Sequence, residues 1–96
     1  MPEFLYHWSP KVNRESIMEK GLIGSHYGGW CVYLAENPES WRREGFDCWR
    51  VSTENLNCKD FTRVDESLDE VLYWGRLDKK IAISRRELKL LKENFN

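Results

Sequence analysis

The chain has 96 residues, enough for one domain (residues 1–96) and too few for two. Fifteen basic residues against sixteen acidic give a formal charge of −1, which excludes a broad basic field for nucleic acid and leaves only local patches at Arg42-Arg43 and Arg85-Arg86. With 32% of residues charged around five Trp, four Tyr and four Phe, the composition implies a thin aromatic core, a groove walled by flat side chains, or both.

Residues 4–8, Phe-Leu-Tyr-His-Trp, read as a short, largely buried strand that Ser9-Pro10 ends, because proline fixes its own φ and has no backbone donor. A helix capped by Asn13 follows, with Ile17 and Met18 on its apolar face and Gly21 as its left-handed stop. Residues 30–35 form the second strand, with Cys31, Val32, Tyr33 and Leu34. Asn37-Pro38-Glu39 has the makings of a helix start: a cap, a proline in first position and an acid in the first turn. Trp41 anchors that helix and Gly45 closes it. Residues 46–52 alternate as a third strand, and the polar stretch 53–69 reads as a long break. Residues 69–74 give another strand, Gly75-Arg76 a turn, and residues 81–83 a short strand. Ser84 and Glu87 make a capping box for a last helix whose buried face carries Leu88, Leu91 and Phe95. Strands and helices interleave without a regular βαβ repeat, so the class is α+β.

Cys31, Cys48 and Cys58 are an odd number at spacings that fit no zinc motif, so they read as reduced thiols, the first two buried. No metal is expected. No signal-type stretch or membrane-length apolar run is visible, which makes the cytoplasm the expected compartment and a membrane an unexpected partner.

Singly, His7, Tyr33 and Glu70 read as a half-buried histidine, a strand tyrosine and a solvated strand end. Their order changes that reading. Leu5-Tyr6-His7-Trp8-Ser9, a helix ending in Ile17 and Gly21-Leu22, a glycine-bearing loop and Val32-Tyr33-Leu34-Ala35 form a series. It resembles the NAD-binding half of ADP-ribosyltransferases of the His-Tyr-Glu type, the group of the poly(ADP-ribose) polymerases and diphtheria-type toxins. Glu70-Val71-Leu72-Tyr73-Trp74 is similar to the Glu-led strand of that family, and Ile81-Ala82-Ile83 to its closing segment.

The resemblance implies a split mixed sheet with flanking helices, and NAD as co-substrate for mono-ADP-ribosyl transfer to an unidentified acceptor. His7 would bond a ribose hydroxyl, with Ser9 buttressing strand and ring. Tyr33 would stack on nicotinamide, Tyr27 (beside His26 in the glycine loop) would line the rim, and backbone groups of Trp8 would hold the carboxamide. Glu70 would stabilise the oxocarbenium-like transition state; Asp65, Glu66 and Asp69 are alternatives within a small register shift. Two departures stand out. Trp8 occupies a position where the family favours glycine, and Leu68 stands where arginine-modifying members carry Glu or Gln, which argues against protein arginine as acceptor. The alternative is an inactive module on the same fold, binding NAD, ADP-ribose or a protein partner.

Overall fold

The computed structural model describes residues 1–24, 31–74 and 81–91. Strand β1 (Phe4–Pro10) is the hinge of the architecture. On one side it pairs along its length with β4 (Phe46–Ser52), which pairs in turn with β8 (Leu88–Leu91). On the other side it meets β3 (Val32–Leu34) at a single rung: Tyr6 and Ala35 exchange backbone bonds, each of 2.8 Å. Strand β3 belongs to a second sheet, ordered β3, β6 (Glu70–Tyr73), β5 (Phe61–Asp65). A small pairing of β2 (Leu22–Ile23) with β7 (Ile81–Ile83) completes the strands. The class is α+β, with helix α1 spanning Arg14–Lys20. Every pairing among the described residues is antiparallel, so the sheet is not mixed.

The core draws on both sheets. Leu5, Trp49 and Val51 come from the first, Val32, Leu34, Val71 and Tyr73 from the second, and Ile17, Leu22 and Ile83 close the end beside α1. These residues alternate with outward ones along their strands, as a sheet with one buried face requires. Cys31 and Cys48 are buried, as expected, and neither forms a disulfide; burial pushes the Cys48 thiol up to about 12. Asp47 is buried as well, where Arg14 of α1 meets it with a two-pronged bond of 2.6 and 2.8 Å. Among the described residues, no helix is long and apolar enough to cross a membrane.

Several local expectations fail for identifiable reasons. The capping signal at Ser84 forms only a single 3-10 turn, after which Leu88–Leu91 runs as a strand. Leu-Lys-Leu-Leu satisfies strand and helix periods alike, and the open edge of β4 decides, because pairing there uses every other backbone group of β8. Phe95 lies outside the described residues.

The segment from Asn37 starts as expected, with Asn37 Oδ1 accepting from Glu39 N at 2.9 Å, yet it makes turns and no helix. The Pro38 carbonyl, which residue 42 would need for helical continuation, is taken by the Trp8 indole at 2.8 Å. Strand β5 arises inside the stretch read as a break; Phe61 and Tyr73 pack with ring centroids 4.7 Å apart. Asn13 stands at the N-cap of α1 as expected, but its side chain makes no capping bond; its amide donates to Ser9 Oγ at 3.2 Å. Met18, expected on the buried face of α1, is largely exposed, and Ile17 alone is buried.

Gly21 takes φ +86 but ψ −168, so it turns the chain directly into β2 rather than closing α1 in the left-handed helical region. A Cβ there would sit 2.3 Å from the Ile83 carbonyl oxygen, where backbone meets backbone. Gly45 shares the positive φ, at +83, but opens onto empty space. Gly21→Ala should therefore cost more than about 3 kcal/mol of stability in urea unfolding, and Gly45→Ala only about 1 kcal/mol. Equal losses would contradict the close approach at Gly21.

Candidate functional site: an aromatic cleft at the split between the sheets

Because β1 and β3 share one rung, the two sheets part beside it, and the parting is where the chemistry-bearing side chains gather. Register fixes the faces. Tyr33 lies opposite Leu72, so Glu70, two residues earlier on β6, shares the Tyr33 face. Tyr6 lies opposite Ala35, so Tyr6 and Trp8 share that face too. These four side chains line a cavity of about 370 Å³, joined by Trp41, Arg43 and Phe46 from the segment that leads from β3 to β4. The volume falls within the roughly 300–1,000 Å³ typical of small-molecule sites. The aromatic residues thus divide: Trp49 and Tyr73 fill the core, while Tyr6, Trp8, Tyr33, Trp41 and Phe46 wall a cavity.

His7 alternates away from Tyr6 and Trp8, yet its ring reaches into the gap. Its Nδ1 lies 2.8 Å from the Tyr33 carbonyl oxygen. Strand alternation turns that carbonyl toward β1, where continued pairing would offer it a backbone N–H; the imidazole meets it there. A carbonyl only accepts, so Nδ1 carries the proton and Nε2 presents a lone pair. Burial pushes the His7 pKa below 6.5, outweighing the upward pull of the Tyr33 bond. His7 is neutral at pH 7. His7 and Trp8 also border a second cavity of about 480 Å³, whose wall includes Ser9, Asn13, Ile17 and Leu22. Ser9 Oγ is engaged with Asn13, and it is the Tyr33 carbonyl that holds the imidazole.

Tyr33 is 40% exposed, with Val32 and Leu34 buried on either side of it. Desolvation raises the pKa of its phenol, and the bond to Cys31 and the negative charge of Glu70 push the same way. Tyr33 is a neutral phenol. Glu70 is half-buried in the cavity wall, and its carboxylate carries no hydrogen bond or ion pair among the described residues. The Trp8 indole donates to the Pro38 carbonyl, so the ring is locked against the loop that roofs the cavity.

The roof depends on Asp69. This residue has φ +48, a conformation uncommon outside glycine, immediately before β6 begins. Its carboxylate accepts from Glu36 N and Asn37 N, each at 2.9 Å, and from Ser40 Oγ at 2.5 Å; its carbonyl accepts from the Trp41 indole at 3.1 Å. Arg63 and Glu36 add a two-pronged ion pair of 2.6 and 3.2 Å nearby. Burial alone would raise the Asp69 pKa, but the Ser40, Glu36 and Asn37 bonds and the Arg63 charge outweigh it and hold the carboxyl below its ordinary range.

Among the alternatives to Glu70, Asp69 is therefore occupied as a clasp, and the side chains of Asp65 and Glu66 lie outside those described. Tyr27 and His26 lie outside the described residues. The sequence reading missed Tyr6, Trp41 and Phe46 as cavity walls and Asp69 as a clasp; the aromatic surplus and the cap at Asn37 were the available signals. Among the described residues no cluster of three or more His, Cys, Asp or Glu side chains could hold a metal ion. No protein-family model, curated protein or solved structure matches this chain.

Two measurements check the electrostatics. Nitrogen-detected NMR of His7 should show the Nδ1–H tautomer at pH 7 and a midpoint below 6.5. Since the unfolded chain protonates first, this group's share of stability is full above that value and lost as pH falls through the folded midpoint. An Nε2–H tautomer would refute the imidazole-carbonyl bond. Asp69→Asn should lower stability by roughly 1–3 kcal/mol at pH 7. The gap to wild type should close as pH falls through the depressed folded pKa of Asp69, because protonated Asp69 loses the same bonds. A gap independent of pH would show that the charge is not what holds the clasp.

Proposed function

We propose that this protein is a mono-ADP-ribosyltransferase that takes NAD as co-substrate, on an ADP-ribosyltransferase-like split sheet. One observation carries the reading: His7, Trp8, Tyr33 and Glu70, from three strands distant in sequence, line one aromatic cavity. The single rung between β1 and β3 supports the likeness to a split sheet. Three cysteines that form no disulfide suit the reducing cytoplasm, where NAD is at hand.

The chemistry asks for what the cavity offers. Nicotinamide is flat, and Tyr33 and Trp8 supply flat walls. His7, neutral with Nε2 open as an acceptor, takes a ribose hydroxyl. The second cavity, of about 480 Å³ and bordered by the same His7 and Trp8, would take the adenylate half of the dinucleotide. When the C1′–N bond breaks, both its electrons pass to the nicotinamide ring, which leaves neutral, and positive charge develops on the ribose. The Glu70 carboxylate, not engaged by any cation among the described residues, stabilises that charge more in the transition state than in the ground state. A nucleophile on the acceptor then forms the new bond to C1′ and gives up a proton to solvent. Trp8 narrows the slot by its bulk, and its indole bond to Pro38 directs that bulk toward the roof.

Chromatography of NAD incubations should show nicotinamide release by the wild type. Glu70→Gln should cut the rate by about 10²–10³-fold while calorimetric NAD binding persists. Wild-type binding without release would make the domain a non-catalytic NAD module, and neither binding nor release would defeat the NAD reading altogether.

A further inference from the structure

The first cavity also holds a cation that the reaction above does not use. Arg43 is exposed in the cavity wall, and its guanidinium carbon lies 5.0 Å over the centre of the Phe46 ring. A tight turn holds it there: Phe46 N donates to the Arg43 carbonyl at 3.1 Å, and Gly45 supplies the positive-φ corner. The Gly45 carbonyl accepts from Lys11 N at 3.1 Å, which ties the turn to the chain just beyond β1. Neighbouring Arg42 pairs with Glu39 at 3.4 Å, whereas Arg43 has no carboxylate at ion-pair distance among the described residues. In the same wall, Trp41 is 47% exposed, and the bond from its indole to the Asp69 carbonyl fixes the ring. A flat platform held by its indole bond and a planar cation lying over the Phe46 ring thus share one wall, two residues apart in sequence.

We infer that the acceptor is a phosphate-bearing nucleotide, with its base stacked on Trp41 and its phosphate held by the Arg43 guanidinium. This rests on the transferase reading and names the acceptor class for the same cavity. The pairing of chemistries is what decides. Base stacking on an aromatic ring and two-pronged phosphate binding by guanidinium are the recurring means of holding unpaired nucleotides. An acidic peptide would use the cation and leave the platform idle. A duplex needs many phosphate contacts, which a chain of charge −1 does not supply. The ligand is therefore a free mononucleotide or a nucleotide of a short single strand. Its nucleophilic oxygen or nitrogen donates the electron pair of the new bond to C1′, as nicotinamide departs with the pair of the old one.

Tryptophan fluorescence of the wild type, titrated with uridine, uridine 5′-monophosphate, a phosphorylated oligouridylate and an acidic peptide, tests the recognition. The monophosphate or the oligonucleotide should bind at least about tenfold more tightly than uridine, and Arg43→Gln should remove that preference. Arg43→Lys, which keeps the charge and loses the fork, should restore only part of it. Trp41→Leu should weaken uridine and its phosphate alike. Tighter binding of the oligonucleotide identifies a strand as the source; equal binding identifies the free nucleotide. Equal affinity for uridine and its phosphate, an unchanged Arg43→Gln, or preference for the acidic peptide would overturn the inference. Nucleotide binding without nicotinamide release would defeat the transferase reading and leave Trp41 and Arg43 as a nucleotide-binding site with no acceptor role, and release without phosphate preference would defeat this inference alone.

Discussion

The two backbone bonds between Tyr6 and Ala35 are where this small molecule holds its halves together. With a full ladder there, β1 and β3 would be neighbours in one continuous sheet, and their side chains would cover the surface between them. With no rung at all, the two sheets would share only side-chain packing. One rung fixes their separation at a point and lets them diverge beside it, and His7 enters the divergence by bonding the Tyr33 carbonyl. That bond satisfies a backbone acceptor the ladder would otherwise have served. It also fixes which imidazole nitrogen can act on a ligand.

A split leaves a cavity only if something walls its outer side, and the segment between β3 and β4 does so without regular structure. Its shape comes from side chains rather than from a repeating backbone pattern. Asp69 gathers the amides of Glu36 and Asn37 and the Ser40 hydroxyl, and Trp8 claims the Pro38 carbonyl. Such an arrangement places Trp41 and Arg43 by a handful of polar contacts, most of them to one carboxylate. The acid beside Asp69 is left for other work. Neighbouring carboxylates, one accepting three hydrogen bonds and the other none among the described residues, have opposite fates because one precedes the strand at a turned φ and the other begins it.

How much of this was legible in the sequence follows from how local each feature is. Strands β1, β3, β4 and β6 carry dense apolar or aromatic runs, and their positions follow from the residues. The meeting of His7, Tyr33 and Glu70 was expressed only in their order, since no single position distinguishes a cavity residue from a core one. The last strand was hidden because Leu88-Lys89-Leu90-Leu91 fits two periods and the free edge that decides lies some forty residues earlier. The helix expected at Asn37 failed through competition for one carbonyl by an indole thirty residues away. Both errors are tertiary contacts overriding sound local signals. Asp69 was visible as one acid among several, and nothing in its neighbourhood distinguished the clasp from a candidate catalyst.

The cysteines carry a practical consequence of the same packing. Cys48 lies buried in β4 with its thiol pushed up to about 12, and Cys31 lies buried beside the Tyr33 phenol; only Cys58 is exposed. A thiolate is the nucleophile that attacks an alkylating reagent, so a mild electrophile selects Cys58 by solvent access, with the raised pKa counting further against Cys48. Cys58 becomes a chemical handle outside the cavity walls, on the turn that opens β5, through which a dye or an affinity tag can be joined to the folded chain with the aromatic cleft left untouched.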